Sequence, residues 1–123
     1  MSILKKTLIL LVPLIFLFLF AGCSNAEKEE LVISYDDSVN GYTVSLYQVG
    51  EPQGTFGDVT AKLVLQDSAG NVIDEENFDL ANDGADVLIT NITVVDWYDD
   101  RVEIGLKELD TTNELTYVLN YES

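Results

Sequence analysis

The chain contains no histidine, one cysteine, two prolines and only six lysines and arginines. Without histidine it lacks the commonest general base, the commonest metal ligand and the usual switch near neutral pH. A Ser-His-Asp or Cys-His catalytic centre is therefore excluded. A lone cysteine cannot close an internal disulfide, and it cannot supply a structural zinc site, which takes four Cys or His ligands. The shortage of positive charge excludes a further class. Against six cations stand 22 Asp and Glu, for a formal net charge of −16, and a surface of that sign repels phosphate backbones. Nucleic acid is not expected as a partner.

At 123 residues the chain has room for one domain. Its start is unlike the rest. Lys5 and Lys6 precede an apolar run of 13 residues from Leu8 to Phe20, followed by Ala21, Gly22 and Cys23. A spanning helix needs about 20 apolar residues, whereas a signal-peptide core takes about 7 to 15. Pro13, in the middle of the run, further weakens a permanent helix. The ending Phe20-Ala21-Gly22-Cys23-Ser24-Asn25 resembles the lipobox of bacterial lipoproteins, in which a dedicated peptidase cleaves just before a cysteine carrying a diacylglyceryl group. Phe20 stands where that family usually has Leu. The resemblance is confined to this N-terminal stretch. It implies a signal peptide at 1–22, lipidation at Cys23 by palmitate-type chains, and a lipid-anchored protein on the extracytoplasmic face of the cell membrane. The start segment also looks like those of Gram-positive surface lipoproteins. Two acyl chains give stable anchoring where one does not, at about 0.8 kcal/mol per buried CH₂.

Removal of residues 1–22 leaves 123 − 22 = 101 residues and takes away Lys5 and Lys6, so the charge moves from −16 to −18. So anionic a body is held off anionic headgroups, and the lipid is expected to be its only membrane contact. Residues 23–30 read as the lipidated cysteine and a polar tether, with Ser24 to Glu30 reaching at most about 25 Å.

From Leu31 onward apolar residues recur with period two, the pattern of half-buried strands. Tyr42, Val44 and Leu46 form one such set, and Val59, Ala61, Leu63 and Leu65 a second. Val102, Ile104 and Leu106 form a third, and Leu115, Tyr117, Leu119 and Tyr121 a fourth. Turn-forming Asp, Asn and Gly residues lie between them. The pattern predicts seven strands, at 31–36, 41–49, 58–67, 71–80, 87–97, 101–109 and 114–122. Residues 31–123 should thus be an acidic all-β domain: a small antiparallel β-sandwich of immunoglobulin-like kind, or a small barrel. The cysteine pair and tryptophan spacing of true immunoglobulin domains are absent, which leaves strand order open. Asp74 to Asn77 could interrupt the fourth strand with a bulge or turn. In the fifth, Val87 and Ile89 share one parity and Ile92 and Val94 the other, which predicts a bulge near Asn91 or a strand buried on both faces. Asn91-Ile92-Thr93 matches a glycosylation sequon, which beside a bacterial lipobox reads as chance.

If consecutive strands run antiparallel, their connections alternate between the two ends of the domain. Connections 37–40, 68–70 and 98–100 then fall far from the tether, and 50–57, 81–86 and 110–113 fall near it. The far end should collect Asp36, Asp37, Asp67, Asn71, Trp97, Tyr98, Asp99 and Asp100. Ca²⁺ takes six to eight oxygen ligands, which makes Asp36, Asp37, Asp99 and Asp100 its candidate ligands. The competing reading is that aspartate builds turns and that negative charge maintains solubility. Trp97 and Tyr98 are candidate partner anchors, because aromatics dominate interface hot spots. Packing in the core and across strands competes with that role. Catalysis is not expected. Lys62 and Lys107, the lysines within the folded body, alternate with the apolar sets and should be solvated. The stretch from Gly50 to Gly57 lacks the helix and the Lys-Ser or Lys-Thr of a phosphate-binding loop. Paired carboxylates would need a sugar-sized cleft that so small a domain scarcely provides. What remains is a binding or assembly module with an envelope or extracellular protein partner. The alternative is a Ca²⁺-binding surface protein.

Overall fold

The computed structural model describes residues 28–111 and 113–122; the leader and Cys23 lie outside the described residues. The apolar sets of the sequence become the inner faces of two antiparallel sheets. Strands β1 (Glu29–Asp36), β2 (Thr43–Val49), β3 (Val59–Gln66) and β4 (Val72–Leu80) form one sheet in the order β1-β2-β3-β4. Strands β5 (Ile92–Trp97), β6 (Arg101–Lys107) and β7 (Glu114–Asn120) form the other, in the order β5-β6-β7. Val44 lies opposite Leu65 and Leu46 opposite Leu63, while across the sandwich Val102 lies opposite Leu119. These side chains, with Val59, Ala61, Leu80, Ile104 and Leu106, are almost wholly removed from solvent and form one core. Burying each large aliphatic contributes about 1.5–3 kcal/mol. The expected all-β sandwich of seven strands is what forms.

Its connectivity differs from that of immunoglobulin domains, which interleave their strands between sheets by Greek-key crossings. Here each sheet is an up-and-down meander, and only the β4–β5 connection passes between the sheets. Local hairpin contacts alone can build each meander, consistent with the short Asp-, Asn- and Gly-bearing turns of the sequence.

The two sheets close along β4 and β7. There Phe78 stacks on Tyr117 with ring centroids 4.2 Å apart, and the Asn120 N–H donates to Asp74 Oδ2 at 2.9 Å. Asp74 and Glu76 occupy inward positions of edge strand β4, opposite Leu65 and Leu63. Inward charges of this kind discourage pairing with a further strand. On the opposite side, Val32 of β1 and the segment Val87 to Thr90 line an apolar cleft.

Several strand bounds differ from the sequence reading. β1 starts at Glu29 and takes two residues from the expected tether, with a register shift that leaves Val32 as an extra residue. β4 runs unbroken through Asp74 to Asn77, and its irregularity falls instead at Ile73. The largest correction concerns 87–97. Residues Ile89–Asn91 form a single 3₁₀ turn, β5 begins only at Ile92, and the register shift sits between Ile92 and Val94. Thr93 is the inserted residue, so Ile92 faces the core while Val94 is 46% exposed.

Candidate functional site

Hydrogen bonds fix which loops share an end. The N-terminal segment arrives where the Gly50 N–H donates to the Lys28 carbonyl at 2.8 Å. At that end the Gly84 N–H donates to Gly57 O at 3.0 Å, and the Asp110 N–H to Ala81 O at 2.9 Å. At the other end Tyr42 stacks on Tyr121 with centroids 4.1 Å apart, and the Tyr121 N–H donates to Asp100 O at 3.1 Å. Gly41 sits against Ser68 there, so close that an added Cβ would lie 3.1 Å from the Ser68 Cβ. Connections 37–40, 68–70 and 98–100 therefore share the end away from residue 28, as strictly alternating strand directions require.

Most carboxylates of that end are occupied in building it. Asp37 accepts from the Val39 N–H and from Asn40 Nδ2, both at 3.1 Å. Asp36 accepts from the Thr43 hydroxyl at 2.8 Å. Asp67 accepts from the backbone N–H groups of Asn71 and Ala69, and these bonds, that of Asn71 foremost, hold its carboxyl below the usual carboxylate range. Asp100 pairs with Arg101 at 2.7 Å. Asp99 lines a concavity described below. No three carboxylates converge as a metal ion would require, among the described residues. Asp36, Asp37, Asp99 and Asp100 thus meet no common point as a Ca²⁺ ligand set.

The two aromatic candidates face different ways, as neighbours on a strand must. Trp97 points inward opposite Val102 and packs against the core while keeping part of its surface exposed. Tyr98 opens the β5–β6 hairpin, where its N–H donates to Arg101 O at 2.8 Å, and is 42% exposed. Arg101 lies over the Tyr98 ring, 4.3 Å from its centroid, and also bonds Glu103 through Nε at 2.8 Å. The ring is thereby held in one orientation by a cation–π contact.

Beside this hairpin an open concavity of about 350 Å³ is lined by Tyr42, Asp99, Asp100, Asn120, Tyr121 and Glu122. The Tyr121 hydroxyl is shut off from solvent with no well-aligned hydrogen-bond partner. Burial first, then the nearby Asp37 carboxylate, pushes its pKa up, and the Tyr98 backbone offsets only part of this. The site joins aromatic faces to a carboxylate rim, with no nucleophile paired to a base. Such a surface suits recognition of a cationic or amphipathic segment.

Sequence reasoning missed Tyr42, Tyr121 and Arg101 as members of this end. The hairpin pairing of Arg101 with Asn120 is the signal that could have placed Tyr121 beside Asp100. Lys62 also differs from expectation. On the outer face it contacts Glu29 at 3.1 Å and Glu75 at 3.6 Å, its side chain only 18% exposed. The hydrogen bond to Glu29 raises its pKa against the opposing effect of burial.

No protein-family model matches the chain, and no curated protein or solved structure matches it either. No helix among the described residues is long and apolar enough to cross a membrane.

Proposed function

We propose that the protein is a lipid-anchored bacterial cell-envelope lipoprotein whose acidic β domain is a binding or assembly module. The anchor is a diacylglyceryl group on Cys23, at the extracytoplasmic face of the cell membrane. The observation that carries this reading is the separation of the two ends. Residue 28, five residues beyond Cys23, lies at one end, and the Tyr42, Tyr98, Tyr121, Asp99 and Asp100 surface lies at the other. An anchored domain so built presents its aromatic and acidic end away from the bilayer. Charge complementarity favours a partner protein with an exposed basic segment, and salt should weaken the complex.

Trp97 contributes through its exposed part, and Tyr98 is the cleaner anchor to test because its loss leaves the core intact. The test is affinity capture by the anchored protein from envelope extracts in mild salt, with Tyr98→Ala and Asp99→Asn variants in parallel. A partner retained by the parent protein and lost from both variants supports the reading. Capture that is identical for all three removes the far end from the account.

A further inference from the structure

We propose that the anchored end of the domain is itself a bilayer-contacting surface, with Phe56, Leu88, Ile89 and Leu109 entering the interfacial layer of the leaflet that holds the lipid. This rests on the lipid-anchored reading above. The four side chains come from three separate connections, yet each is substantially exposed, from 38% for Leu88 to 74% for Phe56.

Backbone and side-chain bonds lock these connections to one another. The Gly84 N–H to Gly57 O bond ties the loop bearing Phe56 to the β4–β5 connection bearing Leu88 and Ile89. The Leu109 N–H to Asn82 Oδ1 contact at 3.4 Å and the Asp110 N–H to Ala81 O bond tie the third connection to the second. Leu88 is fixed through its own N–H, which donates to Asn91 Oδ1 at 2.8 Å. The apolar cleft of Val32, Val87, Leu88, Ile89 and Thr90 continues the surface up the open side of the sandwich. Apolar side chains held on rigid loops at one end can be inserted together, without the ordering cost that flexible loops incur.

The length of chain between lipid and domain selects the occupant. From Cys23 to Lys28 there are 28 − 23 = 5 residues, which reach at most about 17 Å. A seven-residue strand alone rises roughly 23 Å, so the far end stays beyond the headgroups while the near end cannot leave their vicinity. Interfacial side chains of such surfaces sink about 5–10 Å into the headgroup boundary. Of the carboxylates on these connections, Asp86 accepts from Gln48 Nε2 at 3.0 Å and Glu108 from the Ala81 N–H at 2.6 Å. Glu51, Asp58, Asp83 and Asp110 oppose an anionic leaflet. Contact is therefore strongest with zwitterionic headgroups and declines as the anionic lipid fraction rises, the decline being relieved by salt. The lipid is then not the domain's only membrane contact, as its net charge alone had implied.

The test uses the full-length acylated protein reconstituted into phosphatidylcholine vesicles. With the Cys23 sulfur blocked as its diacylglyceryl thioether, a cysteine introduced by Phe56→Cys, Leu109→Cys or Val39→Cys is the one free thiol to carry an environment-sensitive fluorophore. Val39 is as apolar and more exposed, but belongs to the far end. The expected result is blue-shifted emission, quenched by shallow nitroxide lipids, at 56 and 109, with neither effect at 39. Vesicle-bound protein whose three labels all report water overturns the docking surface and leaves the anchor standing. Protein that fails to sediment with the vesicles overturns both.

Discussion

Replacing Asn91 with Ala should destabilise the domain more than its apparent standing as a polar loop residue suggests. Asn91 and Asn82 are both fully buried and bond each other reciprocally, at 2.8 and 2.9 Å. Asn91 also donates to Lys107 O at 2.7 Å and accepts from the Leu88 N–H at 2.8 Å. The substitution therefore removes four hydrogen bonds, two of them the buried pair with Asn82, and leaves the fully buried Asn82 amide without its partner. At a net value near 1 kcal/mol per bond, with more for buried groups left unpaired, the loss is about 4 kcal/mol. A domain of this size has roughly 5–15 kcal/mol in all. Each kcal/mol shifts Tm by about 4–8 °C, so a fall of some 15–30 °C is expected. Urea unfolding of residues 24–123 with the parent, Asn82→Ala, Asn91→Ala and the double variant measures it. Because the two side chains share two bonds, the double-mutant cycle should show a coupling of about 1–2 kcal/mol. A loss under about 1 kcal/mol for Asn91→Ala, or strictly additive effects, would mean that the buried Asn82–Asn91 pair does not hold the two connections together. The same burial keeps the Asn91-Ile92-Thr93 sequon out of reach of a modifying enzyme in the folded domain.

Gly84 has φ +80°, and an added Cβ would overlap the Thr55 backbone, so Gly84→Ala should cost more than 1 kcal/mol and show it as a lowered urea midpoint with unchanged slope. The Asp67 carboxyl is depressed in the folded state, so its contribution is present above the unfolded value near 3.8 and is lost as pH falls through the folded value. Acid unfolding of Asp67→Asn should accordingly be less steep below pH 4 than that of the parent, and parallel curves would contradict this. For metal binding, calorimetry of the domain with millimolar Ca²⁺ should give a flat trace, because Asp36, Asp37 and Asp100 are already engaged with Thr43, the 39–40 turn and Arg101. A saturable heat lost on substituting Asp99 would reverse that expectation.

The inner faces were legible because each strand buries one side, and a period of two in hydropathy is the direct imprint of that geometry. Val44 and Leu46, Leu63 and Leu65, and Val102, Ile104 and Leu106 all face inward as their parity requires. The grouping of loops at two ends was legible too, since it needs only that successive strands alternate in direction. The segment 87–97 was legible only in part: the change of parity announced a bulge near Asn91, and the register shift lies two residues on at Thr93, but the 3₁₀ turn of Ile89–Asn91 was not foreseen. Asn91 is a polar residue whose buried role depends on Asn82, distant in the pattern and brought beside it by the β4–β5 connection. The extra residue at Thr93 then places Ile92 and Val94 on opposite faces despite their equal parity. At the far end, composition located the aspartates but not their use. Asp37 stands as a candidate Ca²⁺ ligand in competition with a turn-building role, and Asp67 as a member of the same acidic end, until the N–H groups they accept from are placed. Likewise the hold of Arg101 on Tyr98 arises from the hairpin between them, and no spacing rule announces it.

Attachment through the single sulfur is decided by intact mass analysis of the protein extracted from its own membranes. The expected product is a polypeptide beginning at Cys23 whose N-terminal peptide carries a diacylglyceryl group. A free thiol at Cys23, or a polypeptide still joined to residues 1–22, would contradict it.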